Sequence, residues 1–204
     1  MTPLRLIAYS DYLCPWCFNA AVRLERLERA FGGSLEIEWR SFLLRPHARS
    51  GRSLDEFRAY TRSWLRPAQD GDGGTFRVWS TVAGPPTHSV PPHVFAKAAA
   101  ELGTPAFREM HHRLLTAYFT DNRDITDRST LAAIWAEAGL PTAELARADE
   151  PRIRERVLAE HNAAAELGIT GVPAVYVSGQ TAVVVGAQPY ETYRRWLDRL
   201  LVAP

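Results

Sequence analysis

Two cysteines three residues apart, Cys14 and Cys17, stand where a short apolar run gives way to a helical pattern. This placement constrains the chain more than any other feature. Leu4-Arg5-Leu6-Ile7-Ala8-Tyr9, bounded by Ser10 and Asp11, reads as a buried strand. From Pro15 onward, Ala21, Leu24, Leu27 and Phe31 recur at three- and four-residue intervals, and Gly32-Gly33 stops the helix they predict. Leu35-Glu36-Ile37-Glu38-Trp39 alternates as a second strand does. The chain therefore opens β-α-β, with both thiols at the start of the helix.

The cysteines are not needed as staples. A chain of 204 residues, 46% of them hydrophobic, buries roughly 70% of the surface its unfolded form exposes and holds a core without cross-links. A bridge across three residues would constrain the unfolded chain very little. Two thiols at a helix start can instead close a disulfide reversibly with little backbone movement. Cys14 falls at or near the N-cap, where unpaired backbone N–H groups and the helix dipole stabilise a thiolate, and Pro15 has no N–H to leave unpaired. Cys14 is thus expected to have the lower pKa and to be the nucleophile. Cys17, one turn inside, is expected to be more buried and to resolve the mixed disulfide. Zinc would need a second pair of ligands, and His88, His93, His111, His112 and His161 supply no ligand spacing. Neither a metal nor a cofactor is expected.

Beyond the second strand, residues from about Ser53 to Gly168 read as a run of helices. Ser53-Leu54-Asp55-Glu56 predicts a capping box, and Pro92, Thr104, Ser129 and Glu150-Pro151 predict further starts. Asp70 to Gly74 and Gly84-Pro85-Pro86 are turn-rich breaks between them. Ala174 to Val177 and Ala182 to Val185 then predict a hairpin about Ser178-Gly179-Gln180. A closing helix from Pro189 to Leu201 places Tyr193, Trp196, Leu197 and Leu200 on one face. The order is that of one α/β unit carrying a helical insertion. Gly171-Val172-Pro173-Ala174 precedes the first hairpin strand, a favoured place for a cis X-Pro bond, where Val172 would offer its backbone N–H and C=O to an extended substrate.

Charge narrows the partners. With 24 basic residues against 23 acidic, a net charge of +1 and the single lysine Lys97, the chain lacks the positive field of a nucleic-acid binder. No window approaches the ~18 apolar residues of a membrane span, and no targeting segment is visible at the N-terminus. A cytoplasmic protein is expected, a compartment where a close cysteine pair is more often catalytic, redox-sensing or metal-binding than structural.

Ser10-Asp11-Tyr12-Leu13-Cys14-Pro15-Trp16-Cys17, the long helical stretch, and Gly168-Ile169-Thr170-Gly171-Val172-Pro173-Ala174 together resemble the DsbA-like branch of the thioredoxin superfamily, most of all its cytoplasmic FrnE-like members. The resemblance implies an α/β thioredoxin fold with an inserted all-helical domain, residues 1–50 and 165–204 forming the first and 51–164 the second. It also implies thiol-disulfide oxidoreductase activity, with Cys14 attacking, Cys17 resolving and Pro173 as the cis-proline facing them. Pro15, Trp16, Val172 and Pro173 would contact substrate. The partners would be protein or small-molecule thiols and disulfides, glutathione among the candidates, for a monomer or homodimer. The dipeptide between the cysteines is Pro-Trp, not the Pro-His of periplasmic DsbA oxidants, so a less oxidising protein is expected.

Other residues carry weaker expectations. Asp11 would raise the pKa of a neighbouring thiolate, which favours a turn role at the strand end. Glu36 and Glu38 should face solvent by alternation rather than serve Cys17 as a base. His88 and His93 could line a cleft opposite the thiols, or be satisfied or surface residues. Trp16 could shade Cys14 and meet substrate, or pack against the helical insertion. Trp64, Trp79, Tyr118, Phe119 and Trp135 read mostly as core, although some could wall an apolar groove for peptide or aromatic ligands. Two other functions fit the chain: a glutathione-dependent isomerase of the 2-hydroxychromene-2-carboxylate type, which generally carries serine at the nucleophile position, and a noncatalytic peptide-binding module or chaperone. A tailoring role in secondary metabolism is compatible with the FrnE-like resemblance.

Overall fold

A computed structural model describes residues 2–202. Strand β1 (Leu4–Ser10), helix α1 (Pro15–Phe31) and strand β2 (Leu35–Ser41) form the expected opening. Helices α2 (Leu54–Thr61), α3 (Val90–Ala100), α4 (Thr104–Phe119), α5 (Arg128–Glu137) and α6 (Pro151–Glu166) follow, and the chain closes through β3 (Ala174–Val177), β4 (Val183–Val185) and α7 (Tyr190–Val202). The sheet runs β2-β1-β3-β4, with β1 parallel to β2 and β3 antiparallel to both of its neighbours. No helix among the described residues is long and apolar enough to cross a membrane.

Strand β1 is apolar without alternation because both of its faces are covered. Leu6 and Ala8 join a core cluster with Leu24 and Leu27 of α1 and Tyr193 and Leu197 of α7. Ile7 and Tyr9 meet Phe42, Ala164 and Ile169 on the other face. Strand β2 lies at the sheet edge and does alternate. Leu35, Ile37 and Trp39 enter the core, Glu36 is exposed, and Glu38 is half-buried between Arg5 and Arg40, at 2.6 and 2.8 Å. Residues of the helical stretch, Met110 and Trp135 among them, belong to the same cluster as Leu6 and Ala8.

Local chemistry sets the helix starts. Ser53 and Glu56 form the expected capping box. Helix α3 begins at Val90 rather than Pro92, because first-turn N–H groups have no intrahelical partner and both Pro91 and Pro92 are tolerated there. Helix α5 begins at Arg128, since Asp127 rather than Ser129 caps it, accepting the Thr130 N–H at 2.7 Å.

The stretch from Asp70 to Ser89 is longer and less regular than a break between helices, and its backbone is held bond by bond. Arg77 N–H donates to the Phe119 carbonyl at 2.8 Å, Trp79 N–H to the Thr61 hydroxyl at 3.0 Å and Ser80 N–H to Asn122 Oδ1 at 2.9 Å. Buried Trp79 anchors it in the core. Gly73 and Gly74 lie so close to α1 that a Cβ on either would fall 2.2 Å from Asn19 or 2.3 Å from Phe18. This strap therefore backs the helix that starts at the cysteines.

Candidate active site

The turn from β1 into α1 brings the thiols to the end of the sheet. Cys14 is the N-cap, in an extended conformation (φ −97°, ψ 112°), with Pro15 in the first turn. Its Sγ accepts the Cys17 N–H at 3.3 Å. Asp11 fixes the turn: one carboxylate oxygen accepts the Leu13 N–H and the other the Leu44 N–H, both at 2.6 Å. The turn role expected for Asp11 is thus present, and the same side chain ties the cysteine loop to the segment after β2. Asp11 is fully buried, and that burial pushes its carboxyl up to about 6 against the opposing pull of Ser89, the Leu13 and Leu44 N–H groups and Arg45.

Both cysteines are free thiols. Cys14 keeps 5% of its surface exposed and Cys17 none. Burial pushes the Cys17 thiol well up, reinforced by the Cys14 side chain and opposed by the Asp11 backbone and the Ser10 side chain. The Cys14 thiol donates to the Val172 carbonyl at 3.5 Å, and the Val172–Pro173 peptide is cis. Two segments 158 residues apart in the chain therefore meet at one sulfur. Of the residues read from the sequence, Cys14, Cys17, Pro15, Val172 and Pro173 converge here.

Trp16 lies at the surface beside them, 38% exposed, whereas Trp64, Trp79 and Trp135 are buried as expected. Leu44, on the segment that Asp11 holds, is 44% exposed and adds a second apolar side chain near the loop. The histidines separate. His88 is half-buried and bonded to the Thr87 hydroxyl at 2.9 Å. His93 is interior: it is buried and packs edge-on against Tyr12, with ring centroids 4.7 Å apart. It reaches the cysteine loop from inside rather than across an open cleft.

Sequence reasoning passed over the interior residues behind the loop. His111 bonds the Tyr12 hydroxyl through Nδ1 at 2.8 Å. Lys97 is buried, paired with Glu160 at 2.7 Å and donating to the Trp39 carbonyl at 2.9 Å. The available signal was His93 and Lys97 at i and i+4 on α3, with Lys97 the one lysine of the chain.

The family model for the DsbA-like thioredoxin domain matches residues 5–198. The chain belongs to this family. This DsbA-like chain is 27% identical to the uncharacterized protein YwbO of Bacillus subtilis, over 92% of each chain. Among solved structures it is similar to the cytosolic disulfide reductase DsbM of Pseudomonas aeruginosa, solved with GSH, with a TM-score of 0.77 and 23% identity over 98% of this chain and all of that one. It is also similar to a 2-hydroxychromene-2-carboxylate isomerase, with a TM-score of 0.68 and 15% identity over 97% and 96% of the two chains. At these identities the structural likenesses speak to the fold, an α/β DsbA-like thioredoxin fold as the sequence predicts.

Proposed function

We propose that the protein is a thiol-disulfide oxidoreductase in which Cys14 attacks and Cys17 resolves. The observation that carries this reading is the pair of contacts on Cys14 Sγ: a backbone N–H from the first helical turn on one side and the Val172 carbonyl on the other. The first-turn N–H and the Val172 carbonyl hold that sulfur between the helix start and the facing strand end, where a substrate disulfide would meet it. The Val172 backbone is the edge along which an extended substrate would lie, and the exposed Trp16 and Leu44 offer apolar contact beside it.

In the reducing direction, Cys14 thiolate attacks one sulfur of a substrate disulfide. The substrate S–S bond breaks, a Cys14–substrate bond forms, and the other substrate sulfur leaves as a thiolate that takes a proton from solvent. Cys17 then loses its proton, attacks Cys14 Sγ and releases the second substrate sulfur, leaving a Cys14–Cys17 disulfide. Substrate gains the two electrons that the enzyme loses, and the oxidising direction is the reverse.

The likeness to a cytosolic reductase solved with GSH supports glutathione as a small-thiol partner and the cytoplasm as the setting. The FrnE-like subgroup and the division into 1–50 with 165–204 and an inserted 51–164 belong to the same proposal. Insulin reduction by dithiothreitol tests the central reading. Wild type accelerates precipitation and Cys14→Ser does not; full activity in Cys14→Ser would overturn it and favour a peptide-binding module. The fold likeness to the chromene-carboxylate isomerase supports a second reading. Undiminished turnover of a chromene carboxylate by Cys17→Ser would put that reading first.

A further inference from the structure

Behind the cysteine loop, three polar side-chain atoms are buried without a protein partner: Ser41 Oγ, His93 Nε2 and His111 Nε2. They come from β2, α3 and α4, yet their residues line one small cavity of about 10 Å3, which Ser10 and Tyr12 also border. Unpartnered buried polar atoms are costly and uncommon, and three around one cavity indicate a shared partner. The volume sits at the lower edge of the ~10–15 Å3 that one water requires, and a buried water typically makes about three hydrogen bonds.

The bonding around the cavity gives that water a direction. Burial keeps Tyr12 protonated, and its hydroxyl bonds His111 Nδ1 at 2.8 Å. With the Tyr12 hydroxyl as donor to Nδ1, the neutral His111 ring carries its hydrogen on Nε2, which has no protein partner, and donates into the cavity. With the His93 hydrogen on Nδ1, Nε2, which has no protein partner, is an acceptor. A water would thus accept from His111 and donate to His93, with Ser41 as a third partner.

The cavity also connects two places. On one side is Ser10, which borders the cavity and whose side chain opposes the upward push that burial gives the fully buried Cys17 thiol. On the other, Trp39, Lys97 and Phe107 line both this cavity and a surface cleft of about 220 Å3. We propose that Ser41, His93 and His111 hold one water, and that this water, with Ser10, is the path by which the Cys17 proton leaves for the surface cleft.

The second half of the proposal rests on Cys17 being the resolving thiol. As Cys17 Sγ bonds to Cys14 Sγ, the Cys14–substrate bond breaks and the substrate sulfur leaves as a thiolate, while the Cys17 proton passes through Ser10 to the water and the water releases one proton to solvent in the surface cleft. The imidazoles are positioning residues and not the proton's destination. Burial lowers His93 well below its usual range and His111 to about 3, and Lys97, His161 and His112 oppose a positive charge on one or the other. Arg40 on β2 also borders the cavity, while Glu160 on α6 is committed to Lys97 and to the Ser41 N–H.

Two measurements test this. A crystal structure should show one water within ~3 Å of Ser41 Oγ, His93 Nε2 and His111 Nε2; a dry cavity overturns the site. Single-turnover release of substrate from the Cys14 mixed disulfide should slow ~10- to 100-fold in His93→Leu near neutral pH and recover as pH rises, with the first attack by Cys14 unchanged. His93→Gln, which keeps an acceptor, should restore release. Release that is unchanged, or slowed equally at every pH, or no better in His93→Gln than in His93→Leu, overturns the relay. Ser41→Ala, a smaller change, should show the same pH-dependent loss if His93→Leu does not fold, and an unchanged profile there overturns the relay as well. Failure of wild type to form any Cys14 mixed disulfide would instead overturn the exchange reading, with the water site still decided by crystallography.

Discussion

Replacing Asp11 by asparagine isolates what it costs to bury a carboxylate under the cysteine loop. The carboxyl ionises ordinarily at 3.8 and here at about 6, so the folded protein holds this proton more tightly than the unfolded chain. The stability it contributes is complete below about pH 4 and is lost as the pH rises through about 6. A rise from 3.8 to about 6 corresponds to about 3 kcal/mol. Asp11→Asn does not titrate, so its stability relative to wild type should improve by most of that amount between about pH 3.5 and pH 7.5. A constant offset rides on this change. That offset is set at low pH, where the amide and the protonated acid each present one carbonyl oxygen to the Leu13 and Leu44 N–H groups. Glu25, which burial pushes up to about 7, titrates in the same window but is common to both proteins and cancels. Urea unfolding of both proteins across this range, extrapolated linearly to water, reads the difference. A difference independent of pH would refute the reasoning. So would one that moves toward wild type as pH rises, since the folded state would then favour the ionised carboxylate.

Three further outcomes are expected. The Arg23 side chain, 3% exposed, joins Asp70 at 2.7 Å and Asp72 at 2.5 Å and donates to the Ala187 and Gln188 carbonyls, so Arg23→Met should cost about 1–3 kcal/mol in urea unfolding, and unchanged stability would contradict its role as a tie between α1, the strap and the segment leading into α7. Trp16→Ala should leave stability within about 0.5 kcal/mol but slow exchange with an aromatic peptide disulfide more than with glutathione disulfide; equal slowing would remove Trp16 from substrate contact. The reduction potential, measured against glutathione, should lie below the ~−120 mV of DsbA, because tryptophan stands where that protein's histidine supports the thiolate; a value as high would sink the argument from the dipeptide.

The site was legible where chemistry is local. The cysteines, Pro15, the Val172–Pro173 pair and the capping box at Ser53 are recognisable because each function depends on neighbours within a few residues. Strand order in the opening and closing segments was legible for the same reason, through alternation in β2 and continuous apolarity in β1. The strap from Asp70 to Ser89 was not, because its conformation is set by Thr61, Phe119 and Asn122, partners outside the strap that local sequence patterning does not reveal. Nor was the interior behind the cysteines. Ser41, His93 and His111 come from three separate elements, and nothing in their individual surroundings signals that they enclose one cavity. Asp11 falls between: its turn role follows from its position, but its second bond, to Leu44, is a long-range contact.

The order of attack is the central claim, and intact-mass analysis of the single-cysteine variants tests it most directly. Cys17→Ser exposed to glutathione disulfide should gain one glutathione, mapped by peptide digestion to Cys14, and should retain it. Cys14→Ser, left with a fully buried thiol, should gain none on the same timescale. Faster modification of Cys17 in Cys14→Ser than of Cys14 in Cys17→Ser would contradict the account.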